Sequence, residues 1–341
     1  MHQENSIKLS ILIPVFNEEN FLEKLLKDIK SNFDNKNTQV ILVDDGSEDN
    51  SFKIIKEFKD KKNYLFNLQI IKLEKNSGKG KALQVGLKKC VGEYILLQDA
   101  DLELDIKDAF EMFEMIQRNN EIKCIFGSRY LSGKLKRNNY FFNNLIGKLN
   151  SLIFNILFSQ SLSDVHCGLK ILHNSVVKKI NLTVNDFGIE IDLASQIVRN
   201  KFFIYEFGVS YYFRTKDQGK KITWLDGIKS FYYLMKARFY DNSILVNLSI
   251  IFSSIYMLAL SFFLNLNIFF NIIFFLIGCI IGINLNIISS ILILSMSTLG
   301  LYLVDNIIFK VISFFILFLI GVFLSKKLKI FISKSKLNQL F

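Results

Sequence analysis

Cysteine is scarce and scattered. The 341-residue chain has four, at Cys90, Cys124, Cys167 and Cys279, with no CxxC pair and no spacing of a disulfide framework or a zinc site. Histidine is rarer, at three, and His166 has no partner histidine nearby, which argues against a histidine-based metal centre. No GxxxxGK[ST] phosphate loop occurs. Residues 1–10 contain no apolar h-region, so no signal peptide is expected and the charged part of the chain should stay inside the cell.

The largest absence is charge. From Ser243 to Ser325 the only charged residues are Asp305 and Lys310. So long an uncharged stretch cannot be the core of so small a domain and reads as membrane spans of about 20 residues each. Breaks at Asn265-Leu266-Asn267, Asn284-Leu285-Asn286 and Asp305-Asn306 predict about four helices, 243–264, 267–283, 286–304 and 307–325, with two spans plus re-entrant pieces as the alternative.

The formal charge of +11 does not point to nucleic acid, because its basic residues flank the apolar region. Lys229, Lys236 and Arg238 precede it, and Lys326, Lys327, Lys329, Lys334 and Lys336 follow it. Basic flanks mark the cytoplasmic side of a membrane protein and favour anionic lipid. The expected organisation is a cytoplasmic domain over 1–225, an interfacial amphipathic helix over 226–242, a multi-pass transmembrane region over 243–325 and a basic cytoplasmic tail over 326–341.

What is present in the first 225 residues is strand–helix alternation. LSILIPVF (9–16), the strand at Val40–Val43, LQIIKL (68–73) and EYILLQDAD (93–101) are apolar runs of strand length. Helical spacing follows the first run at Phe21, Leu22, Leu25, Leu26 and Ile29. Continuous apolar strands alternating with helices predict an α/β domain with a mostly parallel sheet covered on both faces. Ligands bind such sheets at the carboxyl ends of the strands.

Polar groups collect at those ends. Asn17 and Glu18 follow the first strand, Asp44 and Asp45 the second, Asn76, Lys79 and Lys81 the third, and Asp99 and Asp101 the fourth. One acid after a strand reads as a helix cap or a turn. Four successive strands delivering polar groups to one edge read as a site. Acids crowded there would raise one another's pKa unless a cation joined them.

The ordered set PVFNE, VDDGS, NSGKGKA, DAD, GSRY (127–130), DVHCGLK (164–170), FGIEID (187–192) and RTKDQGKKI (214–222) resembles family 2 glycosyltransferases of the GT-A fold. It is most similar to the dolichyl- and polyprenyl-phosphate sugar synthases, and it covers residues 7–240. The resemblance implies a Rossmann-like GT-A domain and a metal-dependent, inverting transfer of sugar from a UDP- or GDP-linked donor to polyprenyl phosphate at the membrane. A family 2 enzyme using another acceptor, a glycolipid or a growing polysaccharide, is the alternative. The QxxRW signature of processive synthases is absent, since the single tryptophan, Trp224, sits in KKITW. A homo-oligomer is compatible with the sequence.

Site roles follow from the same resemblance. Asp99 and Asp101 match the DxD pair that holds Mg²⁺ or Mn²⁺ on the donor diphosphate, where a hard cation offsets charge on the leaving group. Their spacing of two would aim both side chains the same way on an extended strand. Glu103 falls where some relatives carry another metal ligand, or is an acid in the first turn of the next helix. Pro14, Phe16, Asn17 and Glu18 match the nucleoside cradle, and Asp44 an acid contacting base or ribose. Asp45 divides between that role and turn chemistry.

Lys79 would neutralise phosphate. Arg129, Arg214, Lys220 and Lys221 would supply charge for the donor diphosphate or the acceptor phosphate, which arginine contacts in bidentate fashion. Glu190 matches an acid near the reacting sugar. An acceptor phosphate is ionised at neutral pH and needs no general base, so Glu190 is expected to orient the donor. Asn144, Lys148, Ser151 and Asn155 form a polar stripe on the apolar segment 141–158, which suggests a helix lying in the membrane interface. His166 and Leu169 depart from the Gln and Phe of the glucose-synthase pattern, so the motif does not fix the sugar.

Overall fold

The computed structural model describes residues 7–131, 133–134, 136–137, 140–215, 218–219, 224–240 and 251–258. In chain order the elements are β1 (Leu9–Val15), α1 (Glu19–Phe33), β2 (Thr38–Asp44), α2 (Ser51–Lys61), β3 (Asn67–Lys72), α3 (Lys79–Leu87), β4 (Tyr94–Leu97), α4 (Ile106–Arg118), β5 (Cys124–Ser128), β6 (Lys136–Arg137), α5 (Phe141–Phe158), β7 (Lys170–His173), α6 (Asn174–Val177), α7 (Ile189–Arg199), β8 (Tyr205–Gly208), β9 (Tyr211–Tyr212) and α8 (Trp224–Met235).

Seven strands form one sheet in the order β3-β2-β1-β4-β7-β5-β8. The sheet is mixed. β3, β2, β1 and β4 run parallel, and β5 and β8 run parallel to each other, while β7 is antiparallel to both β4 and β5. The sheet is mostly parallel, as expected from the sequence, with one reversed strand. That strand places Lys170 opposite Leu97, the last residue of β4, and opposite Phe126 of β5. The segment leading into β7 thus arrives at the same edge as the carboxyl ends of β4 and β5.

The runs became strands because both faces of the sheet are covered. β2 is buried along its whole length, and β1 is buried at every position except Pro14. α1 turns Leu22, Leu25, Leu26, Ile29 and Phe33 inward, the 3.6-residue stripe of a helix lying on a sheet. α4 is capped by Asp105, whose side chain accepts the Lys107 N–H at 2.9 Å, satisfying one of the free donors of the first turn.

The chain divides into two compact units, Met1–Asn155 with Gln160–Ala237, and Ile156–Ser159 with Arg238–Phe341. In the first unit α5 buries part of its polar side and exposes apolar residues. Asn150 and Ser151 are buried, whereas Phe141, Phe142, Leu145, Leu149 and Leu152 are exposed. Ser151 Oγ donates to the Gly147 carbonyl at 3.2 Å and accepts the Val165 N–H at 3.2 Å. Asn155 exchanges two hydrogen bonds with the Leu162 backbone. Part of the polar stripe is therefore internal, and the exposed residues are mostly apolar, with Lys148 among them.

α8 begins at Trp224 and passes at Lys236 into a π-helix ending at Tyr240. In the second unit residues 251–258 are helical. The remainder of the predicted span 243–264, the later spans and the basic tail lie outside the described residues. Among the described residues no helix is long and apolar enough to cross a membrane.

Candidate active site

A cavity of about 410 Å³ opens at the carboxyl ends of β1, β2 and β4, where strand order changes direction between β1 and β4. Crevices of this kind are where open α/β sheets bind ligands. Pro14, Phe16 and Glu18 line it from the end of β1. Asn17 does not line the cavity. Held at a φ of 51°, its side chain accepts the Glu48 N–H at 2.8 Å and ties the loop after β1 to the one after β2.

The two acids after β2 divide their work. Asp44 is fully buried, with the Ser47 N–H 3.4 Å from Oδ1. Asp45 lines the cavity and accepts the N–H groups of Ser77 and Gly78, each at 2.8 Å. Burial raises the Asp45 pKa, with those two amides pulling against it. Asp45 thereby fixes the entry to α3, where Gly78 takes a φ of 95° with no room for a Cβ, which would stand 2.4 Å from the Asn185 carbonyl.

Asp99 and Asp101 both line the cavity, although the geometry differs from an extended strand. β4 ends at Leu97, residues 100 and 101 are in a turn, and Leu102 adopts a φ of 57°. The turn, rather than strand alternation, carries both carboxylates to the cavity. Behind Asp99 lies Gly168, where a Cβ would fall 1.9 Å from Asp99 Oδ2.

Each aspartate heads a chain of charges. Lys79 Nζ is 2.6 Å from Asp99 Oδ1 and 2.8 Å from Glu190 Oε1. The other oxygen of Glu190 accepts Lys170, whose side chain is fully buried and also donates to the Cys167 carbonyl. Burial opposes ionisation of Glu190, but the ammonium groups of Lys170 and Lys79 outweigh it and hold its pKa at about 2. The two carboxylates likewise keep Lys79 charged against burial. Asp99 is pushed up, chiefly by burial; Lys79 pulls it down, while Asp101 and Glu190 push it further up.

On the other side, Arg214 spans three carboxylates. Its guanidinium lies 3.0 Å from Glu18 Oε2, 3.0 Å from Asp101 Oδ2 and 3.5 Å from Glu103 Oε1. Glu103 is buried. It accepts the Arg214 backbone N–H at 3.1 Å and the Tyr211 hydroxyl at 3.2 Å. Glu103, for which the sequence left a metal ligand and a helix-turn acid both open, also lines the cavity and holds Arg214 and the end of β9.

Arg129 lines the cavity with a bidentate pair to the buried Asp164 at 2.7 and 2.8 Å. Burial disfavours the Asp164 charge, yet the Arg129 guanidinium holds its pKa below the usual value. Lys136 and Lys148 lie with Arg129 around the Tyr130 ring, at 5.0, 5.4 and 5.8 Å from its centroid. His166 also borders the cavity; burial lowers its pKa to about 4, so it is neutral there. Lys220 and Lys221 lie outside the described residues.

Residues 10–180 match the family described as Glycosyl transferase family 2. The chain belongs to that family. Among curated proteins it is 31% identical over 205 residues to an uncharacterized protein of Methanocaldococcus jannaschii, covering 58% of this chain and 86% of that one. It is 27% identical over 237 residues to the dolichol-phosphate mannosyltransferase of Pyrococcus furiosus, covering 67% of this chain and 64% of the relative. Identity is also 27% over 192 residues to the dolichyl-phosphate beta-glucosyltransferase of Dictyostelium discoideum, covering 53% and 58%. The matches to the two named relatives thus cover somewhat under two thirds of their lengths.

The fold is that of glucosyl-3-phosphoglycerate synthase from Mycobacterium tuberculosis, solved in complex with Mn²⁺, UDP-glucose and phosphoglyceric acid. The TM-score is 0.53 at 14% identity, over 67% of this chain and 79% of that one.

In this family 2 glycosyltransferase the sequence motifs meet at one cavity, with Asn17 and Asp44 set behind its wall. Three pairings were not legible in the sequence because the partners lie 20 or more residues apart. Lys170 meets Glu190, Tyr211 meets Glu103, and Asp164 meets Arg129. The clue available for Lys170 and Asp164 was their place at the two ends of DVHCGLK.

Proposed function

We propose that this glycosyltransferase moves a sugar from a UDP- or GDP-linked donor to polyprenyl phosphate, inverting the anomeric centre. The observation that carries the donor half is the pair Asp99–Asp101 facing one cavity, with Lys79 and Arg214 seated on its carboxylates. Lysine and arginine beside that pair suit a diphosphate.

The pair also fits a divalent cation. It offers the hard carboxylate oxygens that Mg²⁺ and Mn²⁺ take, and the raised Asp99 pKa marks a charge that burial leaves poorly stabilised. Among the described residues no group of three or more His, Cys, Asp or Glu side chains forms a metal cluster. When bound, the ion would offset charge on the departing nucleoside diphosphate.

The protein's own part is positioning. Lys79 would reach the diphosphate while Glu190 holds its other side, and Arg214 would face the leaving group from the Asp101 side. The acceptor phosphate is already anionic, so the reaction needs its approach and no proton abstraction.

The lipid acceptor is supported by the names of the relatives, by the nearly charge-free stretch 243–325 and by the exposed apolar residues of α5. The same stretch and its basic flanks support a multi-pass membrane protein with the catalytic domain on the cytoplasmic side. The test incubates the full chain with radiolabelled UDP-glucose or GDP-mannose, undecaprenyl phosphate and Mn²⁺. Label extracted with the lipid is expected; label transferred only to a soluble or polysaccharide acceptor would move the enzyme to the alternative class.

A further inference from the structure

Lys170 is the one fully buried lysine among the described residues, and it does not border the cavity. Removing an ammonium group from water is costly unless its partners compensate. Here they are the Cys167 carbonyl and Glu190, with the Phe126 ring 4.8 Å from the nitrogen. The next link is a surface-directed one. Glu190 holds Lys79 at 2.8 Å, and Lys79 holds Asp99 at 2.6 Å. The sheet fixes both ends, because Lys170 is paired in register with Leu97, two residues before Asp99.

We propose that Lys170 is a positioning residue for sugar transfer. By occupying one oxygen of Glu190 it leaves the other to hold Lys79 in the cavity, against Asp99. This rests on the function proposed above, and it goes beyond the family motif by giving the last residue of DVHCGLK a task in the chemistry.

The alternation Lys170–Glu190–Lys79–Asp99 carries no net charge. Without Lys170, Glu190 would have an oxygen free to turn and one unit of uncompensated negative charge. It would then draw Lys79 away from Asp99. Methionine can fill the space beside Phe126 but cannot hold Glu190. Arginine retains the charge and the donors. Lys170 is shielded from the cavity, so its effect on the bound donor passes through its partners, of which Glu190 is the one that reaches Lys79.

The test compares K170M, K170R, E190Q and K170M/E190Q in the full chain, with UDP-glucose and GDP-mannose as donors, undecaprenyl phosphate and Mn²⁺. K170M should lower kcat by roughly 10²-fold, the scale of an ångström-level misplacement, with the donor KM changed much less. K170R should recover most of the loss, and the double variant should be no slower than E190Q alone. A structure of K170M should show Lys79 Nζ withdrawn from Asp99.

A K170M protein that melts earlier yet keeps wild-type kcat, or losses that multiply in the double variant, would overturn the proposal. So would a K170M structure with the Lys79–Asp99 contact intact. Absence of turnover by the wild type would instead count against the donor or acceptor assignment, and the K170M structure would then decide the positioning role by itself.

Discussion

The two aspartates of the DAD turn are held in different ways. Asp99 is tied through Lys79 and Glu190 to a buried lysine on the central sheet, with Gly168 at its back. Asp101 is tied through one arginine, which also reaches Glu18 and Glu103 and lies just beyond β9. The Asp99 side is a relay anchored in strand pairing. The Asp101 side is a hub whose geometry depends on a single planar guanidinium. A site that must accept a charged donor can thus keep one wall fixed while the other depends on a segment outside the main sheet.

The largest effect expected is from the pair itself. Asp101→Ala should reduce transfer by about 10³-fold or more, the scale of losing electrostatic stabilisation of a leaving group, while the melting temperature changes little. Radiolabel assays with a thermal melt in parallel check it, and retained activity would remove Asp101 from the reaction.

Next is the hub. Arg214→Lys should cost roughly 10²-fold in kcat/KM, because an ammonium cannot reproduce the fork that spans three carboxylates. If the lysine variant matched the wild type, the hub would be dispensable and the contrast between the two sides would fail.

Gly168→Ala probes the fixed wall. Its Cβ would stand 1.9 Å from Asp99 Oδ2 and must displace that carboxylate. Mn²⁺ affinity in the presence of UDP or GDP should weaken by about tenfold, as for other groups that position a ligand. Calorimetry or Mn²⁺ electron paramagnetic resonance measures it.

The smallest effect is in acid. Glu190 has a pKa of about 2 against an ordinary 4.5, so its ionised form contributes stability fully above about pH 4.5. That contribution fades as pH falls toward 2. The difference in unfolding free energy between wild type and Glu190→Gln should therefore be constant above pH 4.5 and change steadily below it. A difference independent of pH would mean that Glu190 is not held by the two lysines.

The sequence carried the first four strands and their polar ends because each is a short continuous apolar run followed by turn chemistry, a local signal. The reversed strand β7 was not legible. KILH is four residues long and opens with a lysine, so nothing local marks it as buried; only its pairing with β4 and β5 does. The cavity was visible as an edge, but the partners within it were not. Glu103 and Arg214 are 111 residues apart, as are Lys79 and Glu190, and no residue spacing encodes such contacts. The stripe on α5 was legible as a period but not as a direction, since burial of Ser151 and Asn150 is decided by what packs on the helix.

The proposed binding of the donor by Asp99 and Asp101 runs through a divalent ion. Its most direct test is titration of UDP-glucose and GDP-mannose into the full-length protein, with and without Mn²⁺, for the wild type and Asp101→Asn. At least one donor should bind the wild type tightly only when Mn²⁺ is present, and the variant should lose that dependence together with the affinity. Equal binding without the ion, or wild-type affinity in Asp101→Asn, would contradict it.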